Sequence, residues 1–350
     1  MTTTTPPAAP AQEVTPAQQA GLLLGQLAGY MATRIIDIGL ASHLIEAIAA
    51  DPDATPDALA ARLDLDETFV AVWCRGALGA GLLDRHGDEY RLARHLDSLL
   101  LDPEHPGYVG GMYSVVGQPE MFGRFGERLR TGERTWWDET STDWIAAVES
   151  TGRPFYTRLV PGGLAQVPGL GAVLEAGARV VDTACGSGVG VVRLATAYPS
   201  CTVTGVDGDA YSIERARRAV AEAGLADRVE LVCSSLEELE LAEPVDVVIN
   251  NISMHECRDI DRVAARVWAT LRPGGWFVIS DFPFPPNDAG LRTVPGQLMS
   301  GIQFFEAQID DQLLPRAAYD ELLDRHGFCD RGFVELTPVH ALTYGRRPMD

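Results

Sequence analysis

Two periodicities divide the chain. Between residues 21 and 50 apolar side chains recur at helical spacing: Leu22, Leu23, Leu27, Tyr30, Met31, Ile35, Ile38 and Leu44. That spacing predicts a helix with a broad apolar face. From Thr55 the run PDALAARLDLDETFVAVWCRGALGAGLLDRHGDEYRL predicts helix, turn, helix and a short hairpin. After residue 180 the pattern changes to short apolar runs: Val180–Val181 closed by Asp182, Cys201–Val206, Val229–Cys233, Val245–Asn250 and Trp276–Ser280. The residues Arg272-Pro273-Gly274-Gly275 read as the turn before the last of these. Helical segments separate the runs, Val191–Tyr198 being the first. Strands alternating with helices predict an α/β unit with a parallel sheet, whose ligand belongs at the carboxyl ends of the strands.

The remaining segments are less patterned. Residues 1–19, rich in Thr, Pro, Ala and Gln, are expected to form a disordered tail. Residues 102–170 carry a heavy share of the aromatics, Tyr108, Phe122, Trp136, Trp137, Trp144, Phe155 and Tyr156 among them. The resulting division is a tail over 1–19, a mainly helical domain over 20–101, a helical connector over 102–170 and the α/β domain over 171–350.

Composition narrows the function. A length of 350 residues accommodates two cores, and 46% apolar with 22% charged residues is ordinary for a globular protein. The net charge of −21 repels polyanions, so neither nucleic acid nor an anionic membrane is an expected partner. The helix-turn-helix pattern does not change this, because residues 21–100 hold six arginines against twelve acids. All 28 basic residues are arginine, which excludes lysine Schiff-base chemistry and a phosphate-loop lysine. The six cysteines form no C-x-x-C pair, and no apolar run is long enough to span a bilayer. A cytoplasmic protein without a metal centre is expected.

The chemistry centres on V-V-D-T-A-C-G-S-G-V-G, residues 180–190, read as a strand, a glycine loop and a helix start. Gly186 and Gly188 let a ligand approach the backbone, and the helix end offers amides and a positive dipole. The dinucleotide fingerprint G-x-G-x-x-G fails, because Val191 holds the sixth position counted from Gly186. Asp182 before the loop, and Asp207 twenty-five residues later at the end of the second strand, suit a cationic nucleoside with free ribose hydroxyls. In this loop, followed by an acid after the next strand, the chain resembles the class I S-adenosylmethionine-dependent methyltransferases, which have a Rossmann-like sheet with helices on both faces. Together with the helix-turn-helix pattern, it resembles the caffeic-acid-type and bacterial polyketide O-methyltransferases, whose N-terminal winged-helix domain forms a homodimer.

The resemblance implies further roles. Asp182, Gly186, Gly188 and Asp207 would hold S-adenosylmethionine. Ser235 and Leu236 stand where the family usually has a Gly-Asp pair recognising adenine, and Asn251 where it often has a lysine near the cofactor. In the stretch D-V-V-I-N-N-I-S-M-H-E-C-R-D, residues 246–259, His255 lies nine residues after Asp246, the register of the family's catalytic histidine. Glu256 or Asp281 would orient the ring. The second flanking acid, normally in an E-R-T run, is missing from residues 312–319, with Asp310 or Asp311 as substitutes. Phe155, Tyr156, Met299 and Gln303 would line the acceptor pocket. The expected reaction is methylation of a hydroxyl on an aromatic or polyketide-type small molecule in specialised metabolism. Two alternatives remain: carbon methylation of an enolisable substrate such as a 2-oxo acid, and a non-methylating cofactor binder that regulates or cyclises.

Overall fold

The computed structural model describes residues 14–135 and 139–349. Trp136 and Trp137, and the tail before residue 14, lie outside the described residues. The chain divides into two compact units, residues 1–97 and 98–350. The connector over 102–170 falls in the same unit as the α/β domain.

In the first unit, α1 (Pro16–Ala41) begins earlier than the composition suggests. Thr15 accepts from the Gln18 backbone while the Gln18 side chain returns to the Thr15 amide, a capping box with proline at the first helical position. Residues 16–19 are thus helical and not part of the tail. The helix predicted to continue to Ala50 is broken at His43, whose φ of 58° is left-handed, and α2 (Leu44–Ala50) resumes beyond it. Next come α3 (Pro56–Leu63), α4 (Glu67–Gly79) and the hairpin β1 (Leu83–His86) with β2 (Glu89–Leu92), in the order read from the sequence. Ile45, Ile48, Leu59, Trp73 and Leu83, all buried, form the core of this unit. On α1, by contrast, Leu22, Leu23, Leu24, Leu27, Tyr30 and Met31 are all more than half exposed.

Helix α5 (Leu96–Leu101) leads into the second unit. There α6 (Gly110–Val116), α7 (Gly123–Arg128) and α8 (Thr142–Arg158) precede α9 (Leu170–Ala176). The sheet strands are β3 (Arg179–Thr183), β4 (Thr202–Asp207), β5 (Val229–Cys233), β6 (Val245–Asn251), β7 (Leu271–Asp281), β8 (Cys329–Thr337) and β9 (His340–Arg346). Between them lie α10 (Val189–Ala197), α11 (Ala210–Glu222), α12 (Ile260–Thr270), α13 (Asp288–Leu291), α14 (Val294–Glu306) and α15 (Arg316–Arg325). The sheet order is β5-β4-β3-β6-β7-β9-β8, parallel from β5 through β7, with β9 and β8 antiparallel.

Strand alternation sends neighbouring residues into two cores. Val180, Val247, Ile249 and Val278 pack on one face with Leu170, Val191 and Leu194, while Val181, Val248, Phe277 and Ile279 pack on the other with Val263, Val267 and Leu322. This is the signature of a sheet covered on both sides, which is why its strands read as continuous apolar runs. The turn expected at 272–275 is part of β7: Leu271 pairs with Val245 and Trp276 with Val247, so residues 272–275 bulge out between them. A third cluster, Val115, Met121, Trp144, Phe305 and Ile309, fastens the connector to the end of α14.

Candidate active site

The reversal of strand order falls between β3 and β6, and the polar strand ends collect around it. Asp182 sits at the end of β3, fully buried. Its Oδ1 accepts from the Tyr156 hydroxyl at 3.0 Å, and its Oδ2 has no hydrogen-bond partner. Burial pushes its carboxyl up to about 8, against the pull of the tyrosine hydrogen bond. Tyr156, expected to line the acceptor pocket, thus donates to the acid expected to hold the cofactor. Gly190 makes the contact possible: a Cβ there would lie 2.2 Å from Asp182 Oδ2 and 2.2 Å from the Tyr156 ring.

The loop itself leaves room. Gly186 has φ +54° and nothing within 4 Å of an added Cβ, whereas Gly188, at φ +90°, backs onto Ala216 at 3.0 Å. Asp207, at the end of β4, accepts from the Gly186 amide at 2.8 Å and from the Asp209 amide at 2.9 Å. Each of its oxygens keeps a lone pair for a hydroxyl. Burial raises its pKa, and the two amides oppose that. Leu236 is buried and Ser235 exposed after β5. An orphaned buried carboxylate oxygen, an open glycine cradle and a strand-end acid with spare acceptors fit S-adenosylmethionine. Asp182, Gly186 and Asp207 are the residues that would hold it.

Asn251, at the end of β6, is fixed from behind. Arg158 Nε donates to His340 Nδ1 at 3.1 Å, so the neutral ring carries its proton on Nε2 and donates it to Ser280 Oγ at 2.7 Å. Ser280 in turn donates to Asn251 Oδ1 at 2.7 Å. Burial, reinforced by the Arg158 charge, holds the His340 pKa well below the usual histidine range, which keeps the ring neutral. Neither Ser280 nor His340 carried a sequence signal, because each lies on a strand whose partner is distant in the chain. Phe155, at the end of α8, packs against His340 at 4.5 Å and meets Phe282 edge-on at 5.1 Å.

His255 follows β6 on the short turn Met254–Glu256, its side chain 1% exposed. Nδ1 lies 2.8 Å and 2.9 Å from the two oxygens of Asp281, at the end of β7. Asp281 is itself braced by the Tyr319 hydroxyl at 2.6 Å and the Phe282 amide at 2.8 Å. Asp281, and not Glu256, therefore sets the ring's orientation. Its carboxylate accepts the hydrogen bond from Nδ1–H, which leaves Nε2 for chemistry. Asp246, whose spacing located the histidine, is at the opposite end of β6, where it accepts from the Arg179 amide.

The acid absent from 312–319 comes from another element. Glu306, the last residue of α14, is 4% exposed, and its Oε2 lies 3.9 Å from His255 Nε2. Burial alone would lower the histidine pKa; Asp281, aided by Glu306 and Glu256, more than reverses this and holds it up at about 10. Glu306 and Asp311 are each pushed up to about 7, first by burial, and Glu256 rises well above its ordinary range for the same reason. Among the described residues, donor atoms of His255, Glu256 and Glu306 also lie within 4.8 Å of one another. His255 and Gln303 both line a cavity of about 540 Å³, together with Arg134, Cys257, Asp311 and Leu314. Gln303 ties the loop that closes it, donating to the Asp311 carbonyl and accepting from the Leu313 amide. Met299, expected as a pocket wall, is 2% exposed and is not among the residues lining that cavity.

Known proteins agree with this architecture. Residues 180–275 match the family model described as a methyltransferase domain. The 27-O-demethylrifamycin SV methyltransferase of Amycolatopsis mediterranei is 35% identical over 173 residues, which cover 48% of this chain and 56% of that protein. The match thus spans only a little over half of that relative's length. The solved structure of the mitomycin 7-O-methyltransferase MmcR superimposes with a TM-score of 0.71 at 19% identity, over 94% of this chain and 98% of that one. PigF, solved with SAH, superimposes with a TM-score of 0.74 at 16% identity, over 95% of this chain and 100% of the other. At these identities the structural matches establish the fold: the chain has the Rossmann-like methyltransferase fold, with residues 180–275 matching a methyltransferase domain.

Proposed function

We propose that this protein transfers a methyl group from S-adenosylmethionine to a hydroxyl of a small aromatic or polyketide-type molecule, with His255 as general base. The observation that carries the reading is the Asp281–His255 pair, which holds the ring by Nδ1, on a residue that lines a cavity of about 540 Å³. When bound, S-adenosylmethionine supplies an electrophilic methyl on a sulfonium. Asp182 and Asp207 hold the donor, Asn251 is fixed beside them by Ser280, and His255 takes the acceptor proton. The cavity has room for a small molecule, and the enzyme's contribution would be mostly positioning of donor and acceptor.

The chain is read as a cytoplasmic homodimer. The exposed apolar stripe on α1 supports self-association, and the cysteines at positions 74, 185, 201, 233, 257 and 329 are all free thiols, as a reducing compartment favours. No helix among the described residues is long and apolar enough to cross a membrane.

The test is His255→Ala. A general base contributes about 10²- to 10⁴-fold, so single-turnover methyl transfer should fall by that factor while S-adenosylmethionine affinity stays near that of the wild type. Near-normal turnover in the variant would remove the base from the mechanism and leave proximity to explain the rate.

A further inference from the structure

Three donors share the carboxylate that holds His255. The ring's Nδ1 lies 2.8 Å and 2.9 Å from the two oxygens of Asp281, the Phe282 amide donates to Oδ1 at 2.8 Å, and the Tyr319 hydroxyl donates to Oδ2 at 2.6 Å. The first two come from the turn after β6 and the end of β7. Tyr319 comes from α15, 38 residues beyond Asp281, and its ring is buried with Leu322 and Phe328 in the core that also holds Val263 and Ile279. A phenylalanine ring would satisfy that packing, so the hydroxyl is the part that needs a reason. In an apolar core it is costly unless paired, and Asp281 is its partner. Burial, aided by the Asp281 charge, holds the Tyr319 pKa well above the usual phenol range, so the hydroxyl stays a donor at every working pH.

The sign of its effect follows from the sharing. While the ring is neutral, Asp281 carries an uncompensated charge and the bond from the Tyr319 hydroxyl is at its strongest. Once the ring is protonated, the imidazolium draws on the same carboxylate and the tyrosine bond weakens. A bond worth more beside the neutral ring opposes protonation of the ring. Residues 312–319 were the expected source of a second acid, which would favour the imidazolium; the same segment supplies a donor with the opposite effect.

We propose that Tyr319 is a positioning residue that tempers the Asp281–His255 pair, keeping more of the ring in the unprotonated form that can accept a proton. This rests on His255 as general base. Asp281 fixes the ring's orientation but also strengthens its hold on a proton, and Tyr319 limits the second effect without giving up the first. The other titratable groups facing the pair are Glu306 from α14, Glu256 and Cys257 from the turn after β6, and Asp311 from the loop after α14. All of these stay in place when only the phenol oxygen is removed.

The experiment compares the full-length protein with Tyr319→Phe and with a chain carrying 3-fluorotyrosine in place of Tyr319. Fluorine makes the phenol a stronger donor, so the two changes should act in opposite directions. The titration of His255 is followed by NMR of protein labelled with ¹³C at histidine Cε1, the signal being assigned by its absence in His255→Asn. Tyr319→Phe should raise the midpoint by about 0.5 to 1 pH unit, so that the unprotonated fraction at pH 7 falls about three- to tenfold, and the fluorinated chain should lower it. Methyl transfer to 7-hydroxycoumarin, read over the same pH range, should show the same displacement, with the rate above the titration held within about twofold. An unmoved titration in Tyr319→Phe, or one moved to lower pH, overturns the proposal; a rate lowered equally at every pH would then make the tyrosine a packing residue. If the phenylalanine variant does not fold, the fluorinated chain decides, and a midpoint that stays or rises there overturns the proposal. A displaced NMR titration with an undisplaced rate profile would keep the tempering role and remove His255 as the base, so the two ideas fail separately.

Discussion

The pH dependence of methyl transfer is the most direct measure of the charge arrangement around His255. An isolated imidazole titrates near 6.5, and burial would lower that value. Here Asp281 accepts from Nδ1, and Glu306 faces Nε2 at 3.9 Å, so the imidazolium is favoured and the pKa stands at about 10. Only the unprotonated ring can take the acceptor proton. At pH 7 that form is about one part in a thousand of the whole, and it grows about tenfold per pH unit until the titration is reached. Single-turnover rates should therefore climb about a hundredfold between pH 7 and pH 9, with no plateau near neutrality. Asp281→Asn removes the main stabiliser of the charged ring, so its profile should shift to lower pH, while the lost orientation lowers the maximum rate. Rapid-quench measurement of methylated product in overlapping buffers supplies both curves. A wild-type plateau reached near pH 7.5, with the same midpoint in Asp281→Asn, would contradict the reasoning, because it would mean that the ring does not feel the carboxylate it touches.

Three further outcomes follow from the donor side and the first unit. Asp182, held at about 8, is mostly protonated at pH 7 in the free chain, and a cationic ligand favours its ionised form. Titrating S-adenosylmethionine in buffers of different ionisation enthalpy should thus show release of about 0.9 proton at pH 7 from this group, falling towards zero by pH 9.5 and absent in Asp182→Asn. Gly190→Ala places a methyl 2.2 Å from both Asp182 Oδ2 and the Tyr156 ring, so it should cost about 1 to 3 kcal/mol in chemical denaturation and weaken the donor site; an unchanged midpoint would mean the contact relaxes freely. The exposed stripe Leu22, Leu23, Leu27 and Met31 on α1 should pair two chains, so changing two of these leucines to Glu should convert a sedimenting dimer to monomer at micromolar concentration, and a wild-type monomer would refute this.

Most of the sheet was legible because its signals are local. A strand covered on both faces must be apolar at nearly every position, as residues 247–249 and 276–279 are, so it stands out against the polar segments around it. The glycine loop and its flanking acids lie within one strand-turn-helix unit and were readable for the same reason. Features set by a partner in space were not. The arginine-to-glycine stretch 272–275 has a turn's composition, but the pairing of Leu271 with Val245 keeps it inside a bulged strand. The break at His43 depends on a single left-handed residue with no glycine or proline to mark it. Helix α1 begins at Pro16 because Thr15 and Gln18 cap it, a signal masked by the Thr- and Pro-rich tail in front.

The site divides along the same line, and the division explains its chemistry. His255 and Asp281 were readable because one follows the end of β6 and the other ends β7, and adjacent parallel strands bring their carboxyl ends together: Asn251 pairs with Ser280, which places the residues just beyond them within reach. Glu306 ends a helix, and where a helix end lands depends on how its apolar face is seated. Here Phe305, beside it, is anchored against Trp144 at 4.3 Å, together with Val115 and Met121 of the connector. The same packing that buries Phe305 forces the next side chain towards His255, on a helix that advances about 100° per residue. Trp144 of the connector therefore helps to set the position of the Glu306 carboxylate. Replacing Trp144 by Ala should release that anchor, move the Glu306 carboxylate away from His255 and so lower the histidine pKa, shifting the methyl-transfer pH profile to lower pH with donor affinity unchanged; an unshifted profile would make Trp144 a simple packing residue.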